Sequence, residues 1–541
     1  MHYVWKHFGQ VAVGLACLMA GGSTALAVVF QFSVPVKTEK GEHRAYLWVP
    51  AEARQIRGVV IGGMTLAERE LVKDARVRTV CTQNSLALVF LTCGLMATDI
   101  QPMLDDLART SGYAELRVAP LMFVGHSAGG PQAMRRTQAM PERCFGIMQY
   151  RGGIAADENW PPAGVPALAL IGQFDEFGGR MRDAAGYEAA WMNPRESLYK
   201  HRALSGPRLA CMAVEPGAGH FAWSDRMSSV FCLFLHKAAQ ARIPDWPVDA
   251  AEPVRCRDVD PGSGWLVDLD LTRPTHAAAP AATYKGPPDR AMWVFDEELA
   301  NALTDLHKGL TGRKDQFIFW KDRTWVDAGV RHFFLDLNWV DDGRTLEVSP
   351  AYRDRYPATQ PHAPIWADAD KPAGSSKAPI RVRPVTGPLV AVGPNRLRIV
   401  FDGFPGADDM GRPTFLAYSE GCDEFRYTEQ IGMFPRGYSG LKRGKQQTID
   451  FEPISGPLSP ERHSIPLKAT SSAGLPVDYY VQYGPARIEK GQLVLAELPR
   501  RAKYPIEVQV VAYQFGSGVE PLVQSAAPVK QIMMVALEKP N

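Results

Sequence analysis

The segment MFVGHSAGG, residues 122–130, constrains this chain more than any other. It reads as an apolar strand over residues 121–124, a turn in which Gly125 and Gly129 flank Ser127, and a helix-like stretch over residues 128–138. Glycines on both sides of the serine permit a turn so sharp that the incoming and outgoing backbones nearly touch. The five-residue pattern is weak by itself: with 48 glycines in 541 residues, chance supplies roughly 0.2 matches. Its weight comes from the strand before it and the helix after it, because strands passed to helices through tight turns imply an α/β layered architecture.

The surrounding sequence has the matching rhythm. Two extended segments, residues 28–36 and 43–50, come first. Apolar runs at 58–61, 86–92, 121–124, 145–150, 167–171 and 209–214 then alternate with amphipathic helices. Short apolar runs joined by helices predict a mostly parallel, eight-stranded sheet buried on both faces. One intervening helix carries Ile100, Met103, Leu104 and Leu107 on a face behind an Asp99 cap. The last carries Met227, Val230, Phe231, Phe234 and Leu235 behind Ser224. The connection over residues 151–165 is short, which leaves no room for a large lid.

A chain of 541 residues exceeds a single core. Residues 1–27 read as a signal peptide: Lys6, an apolar stretch over 11–20, then the small-residue site Ala25-Leu26-Ala27. The protein is therefore expected to be secreted or periplasmic, with no membrane contact after cleavage. Seven of the eight cysteines remain beyond that site, an odd number, and no Cys/His spacing resembles a zinc site. A net charge of +2 gives no reason to expect a nucleic-acid partner. Oligomeric state is not legible.

Residues 28–245 form the α/β unit, and 246–378 a connector with an aromatic-rich accessory region. Trp293, Phe295, Phe317, Phe319, Trp320, Trp325, Phe333, Phe334 and Trp339 crowd that region. Aromatic platforms bind sugars or aryl groups, but the simpler expectation is the core of a small mixed module and its contact with the α/β unit. Alternation at Leu397, Ile399 and Phe401, and again at Ile506, Val508 and Val510, predicts half-buried strands. Residues 379–455 are thus a β-rich module and 456–541 a β-sandwich. In that part QQTIDF (446–451) and KATSSAGLPVDYYVQYGPARIEKGQLVL (468–495) resemble the immunoglobulin-like modules of secreted bacterial proteins, which implies a sandwich without chemistry of its own.

Serine needs a base to become a nucleophile. His220 supplies one in GAGHF, residues 217–221, in the loop after the apolar run 209–214. His126 adjoins Ser127 and is expected to pack beside the turn, while His201 and His236 lack a strand-end setting. The base needs a carboxylate to orient it. Asp175 lies just past the run 167–171, with Glu176 beside it as the alternative and Asp183 in a probable helix. The order Ser127, Asp175, His220 and the loops that carry them resemble the α/β-hydrolase superfamily. That resemblance implies acyl transfer to water, an oxyanion hole from the N–H groups of Ala128 and Met64 (Gly63 the alternative), and no metal or organic cofactor. The secreted members with sandwich modules imply an ester substrate, with acetyl or feruloyl esters on polysaccharides the leading candidates. A serine peptidase on the same core and a non-catalytic carbohydrate-binding protein are the alternatives.

Overall fold

The structure, a computed structural model, describes residues 30–39, 41–63, 65–151, 161–175, 189–321, 334–356, 371–401, 413–435 and 437–537. The expected signal peptide, most of the short connection after Arg151, and Trp325 and Phe333 lie outside these residues.

Eight strands form one sheet: β1 (Phe32–Val36), β2 (His43–Trp48), β3 (Gly58–Gly62), β4 (Leu86–Leu91), β5 (Leu121–His126), β6 (Cys144–Tyr150), β7 (Ala167–Gly172) and β8 (Ala210–Glu215). Their order across the sheet is β1-β2-β4-β3-β5-β6-β7-β8. The opening pair is antiparallel, β2 meets β4 antiparallel, and β3 through β8 all run parallel. Among the described residues six α-helices accompany the sheet: α1 (Leu66–Leu71), α2 (Ala75–Gln83), α3 (Ile100–Ser111), α4 (Gly129–Ala139), α5 (Ala189–Arg202) and α6 (Asp225–Arg242). Every residue of β3 through β8 is buried, so both faces are covered, as a parallel sheet requires. The predicted faces of α3 and α6 are the ones buried. Ser224 caps α6 by accepting the Met227 N–H at 3.1 Å, whereas Asp99 precedes α3 without a side-chain cap. This is the α/β-hydrolase fold. The chain leaves β3 for β4 on one side and returns past β3 to β5 on the other. That reversal marks the carboxyl ends of β3 and β5 as the place where sheets of this kind bind ligands.

The free edge of the sheet, β8, is sealed by the segment that follows the hydrolase unit. β9 (Trp265–Asp268), β10 (Ala279–Pro280) and β11 (Ala291–Val294) form a small sheet, and α7 (Glu297–Lys308) follows. The Met212 N–H reaches Met292 Sδ at 3.2 Å, and the Val214 N–H donates to His307 Nε2 at 3.1 Å. Burial pushes the His307 imidazole down to about 3, so it stays a neutral acceptor. An edge occupied in this way offers no unpaired ladder to another chain.

Packing crosses the boundaries drawn from the sequence. Leu299, Ala300 and Leu303 join the hydrolase core. Ile318, Trp320, Leu346 and Val348 instead pack with Val382, Leu397 and Phe415. The aromatic-rich region is therefore divided among several clusters: Trp293 makes the expected contact with the α/β unit through Leu209, whereas Trp320 and Trp339 join the C-terminal cluster. Tyr480, Val511, Tyr513 and Phe515 belong to the same cluster as Phe415, so the segments 379–455 and 456–541 also share a core. This C-terminal half is built of several small antiparallel sheets in a sandwich-like arrangement. All seven cysteines of the described residues are free thiols, Cys422 alone exposed. Among the described residues no helix is long and apolar enough to cross a membrane, and no group of three or more His, Cys, Asp or Glu is arranged to hold a metal.

The end of the chain returns to the first strands. The Gly484 N–H donates to the Phe30 carbonyl at 2.9 Å, the Lys503 N–H to Ser111 at 3.0 Å, and Arg501 Nη1 to the buried Glu115 carboxylate at 2.7 Å. Tyr46 and Tyr483 meet edge to face at 6.1 Å. Apolar residues from Phe451 to Val535 are continuous with the hydrolase core. Shared burial of this kind couples the halves, so calorimetry should give one cooperative transition for the whole chain. Two transitions, with a hydrolase-sized unit outlasting the rest, would contradict this account of the packing.

Candidate active site

β5 ends at His126 and α4 begins at Gly129, leaving Ser127 and Ala128 as the turn. Ser127 has φ +52°, a left-handed conformation that costs a non-glycine residue about 1–3 kcal/mol and needs its surroundings to hold it. Two backbone bonds do so: the Ser127 N–H donates to the Tyr150 carbonyl at 2.9 Å, and the Gly130 N–H to the Ser127 carbonyl at 3.0 Å. The flanking glycine is obligatory, since a Cβ on Gly125 would stand 2.2 Å from the Gly129 carbonyl oxygen. Ser127 is half-buried and Ala128 exposed. Ala128 directly precedes α4, whose N-terminal turn has open N–H donors and favours negative charge.

The parallel register brings the other two residues to the same edge. His126 pairs with Tyr150, Tyr150 with Leu170, and Gly172 with Glu215, so β5 through β8 end together. Asp175 follows β7 and His220 follows β8. His220 Nδ1 lies 2.8 and 2.9 Å from the two Asp175 carboxylate oxygens, and each residue is 2% exposed. With Nδ1–H donating to the carboxylate, Nε2 is left as the proton acceptor. The two loops are tied together beneath this pair. The Phe174 N–H donates to the Ala218 carbonyl at 2.8 Å, the Gln173 N–H to Glu215 at 3.0 Å, and the Gly217 N–H to Gln173 Oε1 at 2.9 Å.

The structure thus joins Asp175 to His220. Met64, Glu176 and Asp183 lie outside the described residues, while Gly63, the alternative oxyanion donor, is buried at the end of β3. His201 is buried on α5, where burial with Arg208 and Arg202 pushes its imidazole down to about 3. His236 on α6 bonds Asn84 at 3.1 Å.

His126 stands at the elbow without reaching the serine. Its Nε2 donates to the His220 carbonyl at 2.9 Å, and its Nδ1 accepts from the Ala67 N–H at 3.4 Å. Burial, with His220 next to it, pushes its imidazole down to about 3, so it is a neutral bridge between α1 and the histidine loop.

Sequence reading missed Glu68. It is 2% exposed beneath the elbow, and its Oε1 accepts the His126 N–H at 2.8 Å. Thr65 Oγ1 stands 2.6 Å from both carboxyl oxygens and 3.1 Å from the His126 carbonyl oxygen. A hydroxyl has one proton, so it satisfies both neighbours when the Glu68 carboxylic acid donates to Thr65 and Thr65 donates to His126. Burial pushes the Glu68 carboxyl up to about 7, against the opposing hydrogen bonds from Thr65 and His126. The signal was present: Thr65-Leu66-Ala67-Glu68 has the S/T-x-x-E spacing of a helix capping box, here turned onto the elbow instead of the helix's own N–H groups. An acid raised in the folded state contributes stability that is complete below the usual 4.5 and lost as pH rises through about 7. Denaturant titrations of the wild type and Glu68→Gln should therefore diverge between pH 4.5 and 7, the wild type losing up to about 3 kcal/mol relative to the variant. Parallel profiles would mean that Glu68 is charged throughout.

No family model and no curated protein matches the chain. Several solved structures resemble its N-terminal unit. A zinc-bound cold-adapted esterase from an Arctic intertidal metagenomic library is 15% identical with a TM-score of 0.27, covering 38% of this chain and 92% of its own. Est1E from Butyrivibrio proteoclasticus is 11% identical with a TM-score of 0.26, covering 38% and 97%. Dienelactone hydrolase from Anabaena variabilis is 14% identical with a TM-score of 0.27, covering 39% and 96%. The α/β-hydrolase fold of that unit rests on its own sheet order and on the strained turn at Ser127.

Proposed function

We propose that this chain is a serine hydrolase that cleaves carboxylic esters through an acyl-enzyme. The observation that carries this reading is the buried Asp175–His220 hydrogen bond at the strand edge where Ser127 occupies a left-handed turn. Ser127 Oγ attacks the ester carbonyl as His220 Nε2 takes its proton. Asp175 holds the imidazole tautomer and stabilises the imidazolium. The charge on the tetrahedral oxygen falls to the Ala128 N–H at the start of α4 and to a donor from the turn after β3, Met64 or Gly63. His220 returns the proton to the departing alkoxide, and water repeats the sequence to release the acid.

Secretion belongs to the same proposal, as do ester groups carried on polysaccharides. Both rest on the leader-like first residues and the sandwich-like C-terminal half. Turnover of p-nitrophenyl acetate tests the chemistry. Ser127→Ala should fold and lose at least ~10⁴-fold in kcat, as serine-triad knockouts do. Asp175→Asn should be nearly as damaging and Glu176→Gln mild. Wild-type turnover by Ser127→Ala would remove the mechanism, and the reverse ranking of the two acids would move the orienting role to Glu176.

A further inference from the structure

The C-terminal half touches the loop that carries His220. The contact is made by the strand Thr428–Met433 and the residues just before it. Gly217, at φ +74°, approaches so closely that a Cβ there would stand 1.9 Å from the Tyr427 carbonyl oxygen. Two residues on, the Gly219 N–H donates to Glu429 Oε1 at 2.8 Å, while the Gly219 carbonyl accepts from Arg151 Nη1. Both backbone polar groups of the residue before His220 are therefore held by buried charged side chains. The carbonyl of His220 itself is held by His126.

The Glu429 carboxylate is fixed in turn. Its Oε2 accepts the Tyr427 hydroxyl at 2.6 Å, and its Oε1 lies 3.4 Å from Arg151 Nη1. Arg151 is fully buried between Glu429 and Glu215, and Arg226 Nε donates to the other Glu215 oxygen at 3.2 Å. On the acid side, Arg426 Nη1 donates to Gln173 Oε1 at 3.2 Å, the same oxygen that takes the Gly217 N–H. A carboxylate and a guanidinium from the C-terminal half thus bracket the loops of His220 and Asp175.

We propose that Glu429 is a positioning residue of the active site, and that the hydrolase unit has a correctly placed base only with its C-terminal half docked. This rests on the serine-hydrolase reading above. The half that looked like an appended module is then part of the catalytic apparatus: displacing a catalytic group by about 1 Å costs on the order of 10²-fold in rate.

The test is steady-state turnover of p-nitrophenyl acetate by full-length variants, with thermal melting in parallel. Glu429→Ala should lower kcat by about 10²-fold and leave KM within about threefold, the signature of a displaced base rather than lost binding. Glu429→Gln keeps an acceptor for the Gly219 N–H and should recover kcat to within about tenfold of wild type. Val510→Ala, a truncation in the buried strand Ile506–Tyr513 that leaves every Glu429 contact in place, provides a destabilised comparison and should keep its kcat. If Glu429→Ala does not fold, Tyr427→Phe, which removes the hydroxyl held by Oε2 together with its contact to Arg383, should lower kcat about fivefold with a smaller loss of melting temperature than Val510→Ala. A wild-type kcat in the foldable Glu429 or Tyr427 variant, or an equal loss in Val510→Ala, overturns the proposal. Full activity in Ser127→Ala measured alongside would instead overturn the hydrolase reading on which it rests.

Discussion

The bond between Asp175 and His220 is the constraint on which the rest of the site depends. It spans two loops that leave neighbouring parallel strands, and both partners are almost completely buried. A buried carboxylate is costly unless it is paired, and an imidazole can serve as a base only if one nitrogen is committed to donating. The pairing answers both requirements at once. It can form only because β7 and β8 end in register, with Gly172 opposite Glu215, and because Gln173 and Phe174 bond back to the histidine loop.

Around that bond the molecule arranges successive supports. The elbow's left-handed serine is held by Tyr150 from the neighbouring strand. Glu68 and Thr65 hold the N–H and carbonyl of His126, and the His126 ring extends to the carbonyl of His220. One hydrogen-bonded path therefore runs from α1 through His126, the residue before Ser127, to the backbone of His220. Burial disfavours the charged form of both titratable groups on this path, raising the Glu68 carboxyl to about 7 and lowering the His126 imidazole to about 3. A strained turn persists only where such surroundings over-determine it.

Much of the first layer was legible in the sequence. Ser127, Asp175 and His220 each follow an apolar run, and a parallel sheet gathers the ends of such runs on one edge. The eight-stranded unit and the buried faces of α3 and α6 were visible for the same reason: their periodicity is local. The supports were not visible in this way. Arg151 and Glu429 are far apart in sequence and meet only in the folded chain, so no local pattern marks either. Aromatic crowding between Trp293 and Trp339 suggested a small core and its contact with the α/β unit; Trp293 makes that contact through Leu209, whereas Trp339 packs with Phe434 and Phe515 of the C-terminal half. Composition announced that these rings would be buried, but the choice of core is made by tertiary contacts.

The central claim is that Ser127 is an activated nucleophile. The most direct measurement is peptide mass spectrometry after exposure of the full-length protein to a fluorophosphonate, which reacts covalently with serines activated by a base. The account predicts a single phosphonyl adduct on the peptide containing Ser127, formed in the wild type and absent when His220 is replaced by alanine. An unmodified Ser127, or labelling that does not depend on His220, would contradict it.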